Sequence, residues 1–195
     1  MGAPAAADRV GDEWIWAEFW TRYFTDREPR HTWVVPRRAD GAVVGYLTGT
    51  ADVRRVDAYA PFLLPGIVWR VARKRPWRRA APRRALLGLL RSLLAGEMAL
   101  PHGVARRYPA AFHVNLLPEA RGRGLARALF DAFAAQLRTE GVRGVHAQVL
   151  SVNEPVQRFL RRAGFRMVAS RPCRALAHVE SRVIDVGTWV LRFCE

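Results

Sequence analysis

The six residues Arg121-Gly122-Arg123-Gly124-Leu125-Ala126 stand between a strand-like run, Ala111-Phe112-His113-Val114-Asn115-Leu116-Leu117-Pro118, and an amphipathic helical stretch. A junction of that kind presents backbone N–H groups that have no partner inside the helix, at the positive end of its dipole, and so suits a diphosphate. The glycine spacing narrows the choice of ligand. A Walker loop needs Gly-Lys-Ser/Thr, which is absent, and a Rossmann loop needs a small residue where Arg127 stands. An ordinary turn or an RNA-binding Arg-Gly tract would share the composition, although a single copy wedged between strand and helix fits RNA poorly.

The pattern Arg-x-x-Gly-x-Ala over Arg121 to Ala126 resembles the acetyl-coenzyme A loop of the GNAT acetyltransferase superfamily. A second motif follows in the right order: the apolar run Val145-His146-Ala147-Gln148-Val149-Leu150, then Asn153, then Phe159 and Gly164-Phe165. The likeness covers residues 39–50 and 108–168. Within the superfamily the chain is similar to the acetyltransferase-like domain of O-GlcNAcases and its free-standing bacterial relatives. That closer likeness is carried by Gly45-Tyr46-Leu47-Thr48-Gly49-Thr50-Ala51-Asp52, by Leu100-Pro101 with Tyr108-Pro109, and by Gly141-Val142-Arg143-Gly144-Val145. The resemblance implies an α/β (α+β) fold with a central mixed β-sheet flanked by helices. It also implies acetyl-CoA as co-substrate and an amine, small molecule or peptide, as acceptor.

Carried over position by position, the resemblance gives the diphosphate to the amides of Gly122, Arg123, Gly124, Leu125 and Ala126, with Arg121, Arg123 and Arg127 offsetting its charge. Backbone groups near Asn115, Leu116 and Leu117 would align the pantetheine arm, and Asn153 would bond it or simply cap a loop. The family often uses a tyrosine to protonate the departing thiolate, and the matching residue here is Leu160. A thiol with a pKa of about 8.5 leaves tolerably without an acid. Candidates for the base are Asp52, His113 and Glu97, although a histidine in a groove is more often structural than catalytic. The alternative from another class is a coenzyme A-binding pseudoenzyme or interaction module that turns nothing over.

The elements that must position these groups fit one domain over residues 1–195, half of whose composition is apolar. Residues 1–11, Ala- and Pro-rich, read as disordered, and they lack the pattern of a secretion signal. The aromatics Trp16, Phe19, Trp20, Tyr23 and Phe24 give a helix over 12–25 with Asp12 as its cap. Asp40-Gly41 between residues 32–36 and 42–48 predicts a hairpin, the family's second and third strands. Residues 51–107 form a long insertion, expected to be mostly helical over 53–107, with an apolar helical face at Leu86, Leu87, Leu90, Leu93 and Leu94. The cofactor helix runs over 122–140 with Leu125, Leu129, Ala132, Phe133 and Leu137 on one face. A helix from Pro155 to Gly164 and a strand pair over 166–171 and 183–193 complete the chain.

The net charge of +15 is weak testimony, because Lys74 is the only lysine and an arginine bias can arise from coding composition. Its distribution says more: residues 70–91 carry nine basic side chains and no acidic one. A solvated face is the bland reading, an anionic acceptor, membrane surface or nucleic acid the sharper ones, with nucleic acid the least favoured. No apolar run reaches the ~20 residues of a membrane span. Cys173 and Cys194 are the only cysteines and no histidine set has metal spacing, so the reading is a cytoplasmic protein with free thiols and no metal. Dimerisation is common in the superfamily, and nothing in the sequence specifies it.

Overall fold

A computed structural model describes residues 21–74, 91, 94–97, 99–173 and 184–193. Its centre is a six-stranded mixed sheet in the order β1-β2-β3-β4-β6-β5. The strands are β1 (Thr32–Pro36), β2 (Val43–Thr50), β3 (Ala110–Leu116), β4 (Gly144–Leu150), β5 (Arg166–Cys173) and β6 (Ile184–Arg192). Only β3 and β4 run parallel; the other neighbours are antiparallel. The predicted hairpin forms β1 and β2, closed by Arg37 N–H on Ala42 O at 2.7 Å and by Ala42 N–H on the Asp40 carboxylate at 3.1 Å. These are the first two strands of the described residues; 1–20 lie outside them, and with them Trp16, Phe19, Trp20 and Asp12.

Five helices accompany the sheet among the described residues: α1 (Tyr23–Arg27), α2 (Val53–Lys74), α3 (Val104–Arg107), α4 (Leu125–Thr139) and α5 (Glu154–Arg162). Helix α4 buries Leu129, Phe130, Phe133, Ala134 and Leu137. The expected stripe is therefore rotated: Ala132 is exposed, while Phe130 and Ala134 face inward. Two alanines at neighbouring positions leave that rotation open in the sequence, and the bulk of Phe130 decides it. Phe133 sits so close to the sheet that a Cβ on Gly49 would lie 2.6 Å from its ring, so β2 needs glycine there for space. Each large side chain buried on this face contributes roughly 1.5–3 kcal/mol.

The opposite face of the sheet is set by strand alternation. Leu47, Phe112, Val145, Ala147 and Trp189 belong to the core under α4. Their neighbours Thr48, Thr50, His113, His146 and Thr188 point the other way, where α1 packs through Phe24 against His113, ring centroids 5.9 Å apart. Tyr23 of α1 in turn meets Tyr59 of α2 at 5.4 Å.

The insertion supplies helix α2 from a stretch that holds Pro61 and Pro65 in its interior. Each removes one N–H from the ladder, which is why the pattern does not announce a 22-residue helix. The helix predicted around Leu86 lies almost wholly outside the described residues, as does most of the basic run 70–91. Cys173 is a buried free thiol on β5, and Cys194 lies outside the described residues. Among the described residues, no helix is long and apolar enough to cross a membrane.

Candidate active site

Strands β2 and β3 stay in register over six pairs, from Thr50 opposite Ala111 to Gly45 opposite Leu116. Strands β3 and β4 hold register at only two, Ala110 with Val145 and Ala111 with His146. Beyond Ala111 the two strands splay apart, and the edge of β3 that faces β4 has no strand partner. Which groups occupy that edge follows from the alternation of an antiparallel ladder. Leu117 N–H donates to Val44 O at 2.8 Å, so Leu117, Asn115 and His113 direct their backbone toward β2. Phe112, Val114 and Leu116 direct theirs into the splay.

This shifts the expected position. Leu116 remains at the edge, Val114 joins it, Asn115 is turned to β2, and the Leu117 amide is already bonded. The parity of a ladder depends on which pair closes first, which the sequence of one strand does not contain. The Leu116 carbonyl accepts from Arg121 Nε at 3.0 Å, so Arg121 braces the loop against β3.

At the end of β3 a single turn, Pro118–Ala120, leads into the loop before α4. Gly122 and Gly124 both adopt positive φ, +76° and +75°, and a Cβ on either would meet nothing within 4 Å. They are required for left-handed backbone and not for space inside the protein. The first amide with a helical acceptor is that of Ala128, on Gly124 O at 3.0 Å. Those of Leu125, Ala126 and Arg127 precede it and have no acceptor within the helix. Arg127 is held by Asp131 at 2.9 Å and by the carbonyl of Arg162 at 3.3 Å, tying α4 to α5. Among the described residues Arg123 makes no hydrogen bond or ion pair, so it is the arginine of the loop whose charge is uncommitted.

Asn153 stands at the cap position of α5, three residues beyond the end of β4. Its backbone bonds Leu150 O at 2.9 Å and Gln157 N at 3.1 Å, while its side chain makes no capping bond. The loop-cap role is thus carried by its main chain alone. Leu160 is fully buried among the α4 side chains, so the position matching the family tyrosine belongs to the core.

The three base candidates fare differently. Asp52 caps α2: its carboxylate accepts from Arg54 N at 3.1 Å and pairs with Arg54 Nη2 at 2.6 Å. That guanidinium holds the Asp52 carboxyl below its usual range against the opposing effect of burial. Glu97 lies in the turn at 95–97, outside the sheet. His113 lies on the polar face beside the splay. The residue keeps solvent-accessible surface, and the protein packed around it pushes its pKa down to about 4. Opposite it Thr48 Oγ1 is buried with no hydrogen-bond partner among the described residues.

A buried network that the sequence did not announce supports this face. Glu28, 5% exposed, accepts from Tyr23 Oη at 2.7 Å, Thr50 Oγ1 at 3.0 Å and Ala51 N at 3.2 Å. His31 bridges it onward, Nδ1 at 2.8 Å from Glu28 and Nε2 at 3.0 Å from Glu140 at the end of α4. Burial alone would raise the Glu28 carboxyl, and the bonds from Tyr23, His31 and Thr50 outweigh it, so its pKa is lowered. Tyr23 is pushed up to about 12 by burial and by donating to that carboxylate. The network joins α1, β2 and α4, elements distant in sequence, and its residues Glu28 and His31 sit in a short polar link that carries no periodic signal.

The profile of the Acetyltransferase (GNAT) family matches residues 5–165. The chain belongs to the GNAT acetyltransferase family. Among solved structures, SsHAT superposes with a TM-score of 0.66 at 29% identity, covering 98% of this chain and 94% of its own. The polyamine N-acetyltransferase of Drosophila melanogaster, described as catalysing formation of N-acetylagmatine, superposes at 0.53 and 20% identity over 88% of this chain and 79% of its own; it shares the fold. In this GNAT protein the splayed strand β3, the glycine loop and the start of α4 follow one another along the chain. Among the described residues no group of three His, Cys, Asp or Glu is placed to hold a metal ion.

Proposed function

We propose that the protein transfers an acetyl group from acetyl-CoA to an amine by direct attack on the thioester. The observation that carries this is the pair of amide groups without a backbone acceptor on either side of the loop: Val114 and Leu116 at the β3 edge, and Leu125 to Arg127 at the head of α4. The amides from Gly122 to Ala126 would hold the diphosphate, with Arg123 adding charge, and the β3 edge and Asn153 would align the arm. Acetyl-CoA supplies the activated acyl group: the amine nitrogen forms the new C–N bond, the C–S bond breaks, and sulfur leaves as thiolate. The ammonium must lose a proton first. That proton goes to bulk water, because His113, beside the splay and opposite Thr48, has a pKa of about 4 and is too weak a base to strip an ammonium. His113 is the better placed candidate for the proton the amine sheds on attack, since Asp52 is engaged by Arg54. With Leu160 in the core, the thiolate takes its proton from water. The likeness to O-GlcNAcase-attached domains and the cytoplasmic setting are part of the same reading.

Calorimetry with acetyl-CoA and thiol release across a panel of amines test this together. Saturable binding with amine-dependent release is expected. No binding would overturn the proposal. Binding without release on any amine would favour the second reading, a coenzyme A-binding module, which the core position of Leu160 favours.

The pH dependence follows from His113. A histidine with a pKa near 4 is neutral from pH 5 upward, so kcat/KM at saturating acetyl-CoA should show no acidic limb from it between pH 5 and 8. It should rise with the acceptor's own deprotonation. A limb near pH 6.5 that disappears in His113→Asn would contradict the assigned environment.

A further inference from the structure

The row of side chains that closes the splay is Ala111, His146, Val190 and Arg166, one residue from each of β3, β4, β6 and β5 in register. Alternation puts all four on the same face as His113, which lies two residues beyond Ala111 along β3, about 7 Å at strand rise, with the backbone of Arg166 three strand spacings, roughly 14 Å, across the sheet. A recess of about 320 Å³ opens at this end of the face. Its wall includes His102, Arg106, Arg107, Tyr108, Arg166 and Val168, and among the described residues no carboxylate. Arg166 Nη2 is fixed on Tyr108 Oη at 3.2 Å, and Tyr108 is itself anchored by its carbonyl, 2.6 Å from buried His146 Nδ1.

Three arginines line this recess, and what distinguishes them is their convergence. Arg22, Arg37, Arg54, Arg127 and Arg158 each find a carboxylate within 3.3 Å. Among the described residues Arg106, Arg107 and Arg166 have none, although they converge on one concavity. The acidic group whose charge reaches this region, Asp57 of α2, acts on His146 and does not line the recess. Guanidinium groups without a carboxylate partner, gathered in one concavity, favour a carboxylate or phosphate and repel a second cation.

We infer that this recess binds an anionic group, carboxylate or phosphate, on the acceptor. The acceptor then carries its amine several bonds away from an acid, so that the amine reaches the splay while the acid rests on Arg166 and its neighbours. A polyamine is disfavoured. This rests on the transferase reading above, and its test separates the two.

Matched acceptors supply the test: 4-aminobutyrate against 4-aminobutanamide, and glucosamine 6-phosphate against glucosamine, with spermidine as the cationic case. At least one acid of a pair should exceed its neutral partner in kcat/KM by about tenfold or more, and which pair does so distinguishes carboxylate from phosphate. In Arg166→Gln that ratio should fall toward one, with partial recovery in Arg166→Lys. Arg158→Gln, on exposed α5, should leave the ratio as it was. Inorganic phosphate, titrated by calorimetry, should bind the unaltered protein and bind Arg166→Gln at least fivefold more weakly. Acetyl-CoA binding and turnover with no preference for either acid, or with spermidine preferred, would overturn this inference and leave the transferase reading standing. Absence of acetyl-CoA binding would overturn that reading and with it the assignment of the recess to an acceptor.

Discussion

Replacing Gly124 with glutamate lowers acetyl-CoA affinity by at least 100-fold while the fold persists. Two effects add. Gly124 holds φ at +75°, where a side chain with a Cβ costs about 1 kcal/mol, and nothing in the protein crowds the position, so the strain is local. The larger effect is electrostatic: a carboxylate at the head of α4 occupies the place of the diphosphate and shares its sign. Gly124→Asn separates the two, because asparagine tolerates left-handed backbone and adds no charge; it should retain affinity within about tenfold. Calorimetry on both variants, beside circular dichroism to confirm folding, checks this. Equal affinity for the glutamate variant and the unaltered protein would remove the head of α4 from the binding site.

The second large effect is on stability. Glu28→Ala should cost about 3–5 kcal/mol, the range for removing one partner of a buried charged network. It strands Tyr23 Oη, the Ala51 amide and His31 Nδ1, and leaves Thr50 Oγ1 with only its Asp52 backbone partners. Glu28→Gln keeps an acceptor oxygen and should cost less. The pH dependence has a definite sign. Because the folded pKa of Glu28 is lowered, its contribution is present above the unfolded carboxylate value of about 4.3 and is lost as pH falls through the folded value. Urea denaturation at pH 7 and pH 3.5 should therefore show a smaller difference between Glu28→Gln and the unaltered protein at the lower pH. A Glu28→Ala variant as stable as the parent would mean that the network does not hold the sheet to α1.

What the sequence discloses, and what it withholds, divides along physical lines. Local signals are legible: Asp40-Gly41 marks the hairpin, Gly122 and Gly124 mark the loop before α4, and Gly164 with its φ of +90° ends α5 where expected. Each depends on residues within a few positions of one another. The splay's free edge does not, since its parity is set by Leu117 meeting Val44 across more than seventy residues, and the expected groups shift accordingly from Asn115 and Leu117 toward Val114 and Leu116. The Glu28-His31-Glu140 chain is hidden for the same reason, its partners being 109 positions apart. Asp52 illustrates a different limit: an aspartate at a strand end suits a base or a helix cap equally, and only the helix that follows, with Pro61 and Pro65 inside it, shows that it caps. The acceptor-face recess draws on Tyr108, Arg106 and Arg166, separated by two helices and two strands.

The central claim is that the amides at the head of α4 and the open edge of β3 form one binding track. A ¹H–¹⁵N correlation spectrum during titration with acetyl-CoA reads those amides directly. The account predicts saturable shifts at Gly122 through Arg127 together with Val114 and Leu116, and little change on β1. Saturable uptake that leaves the residues 122–127 unmoved would contradict it.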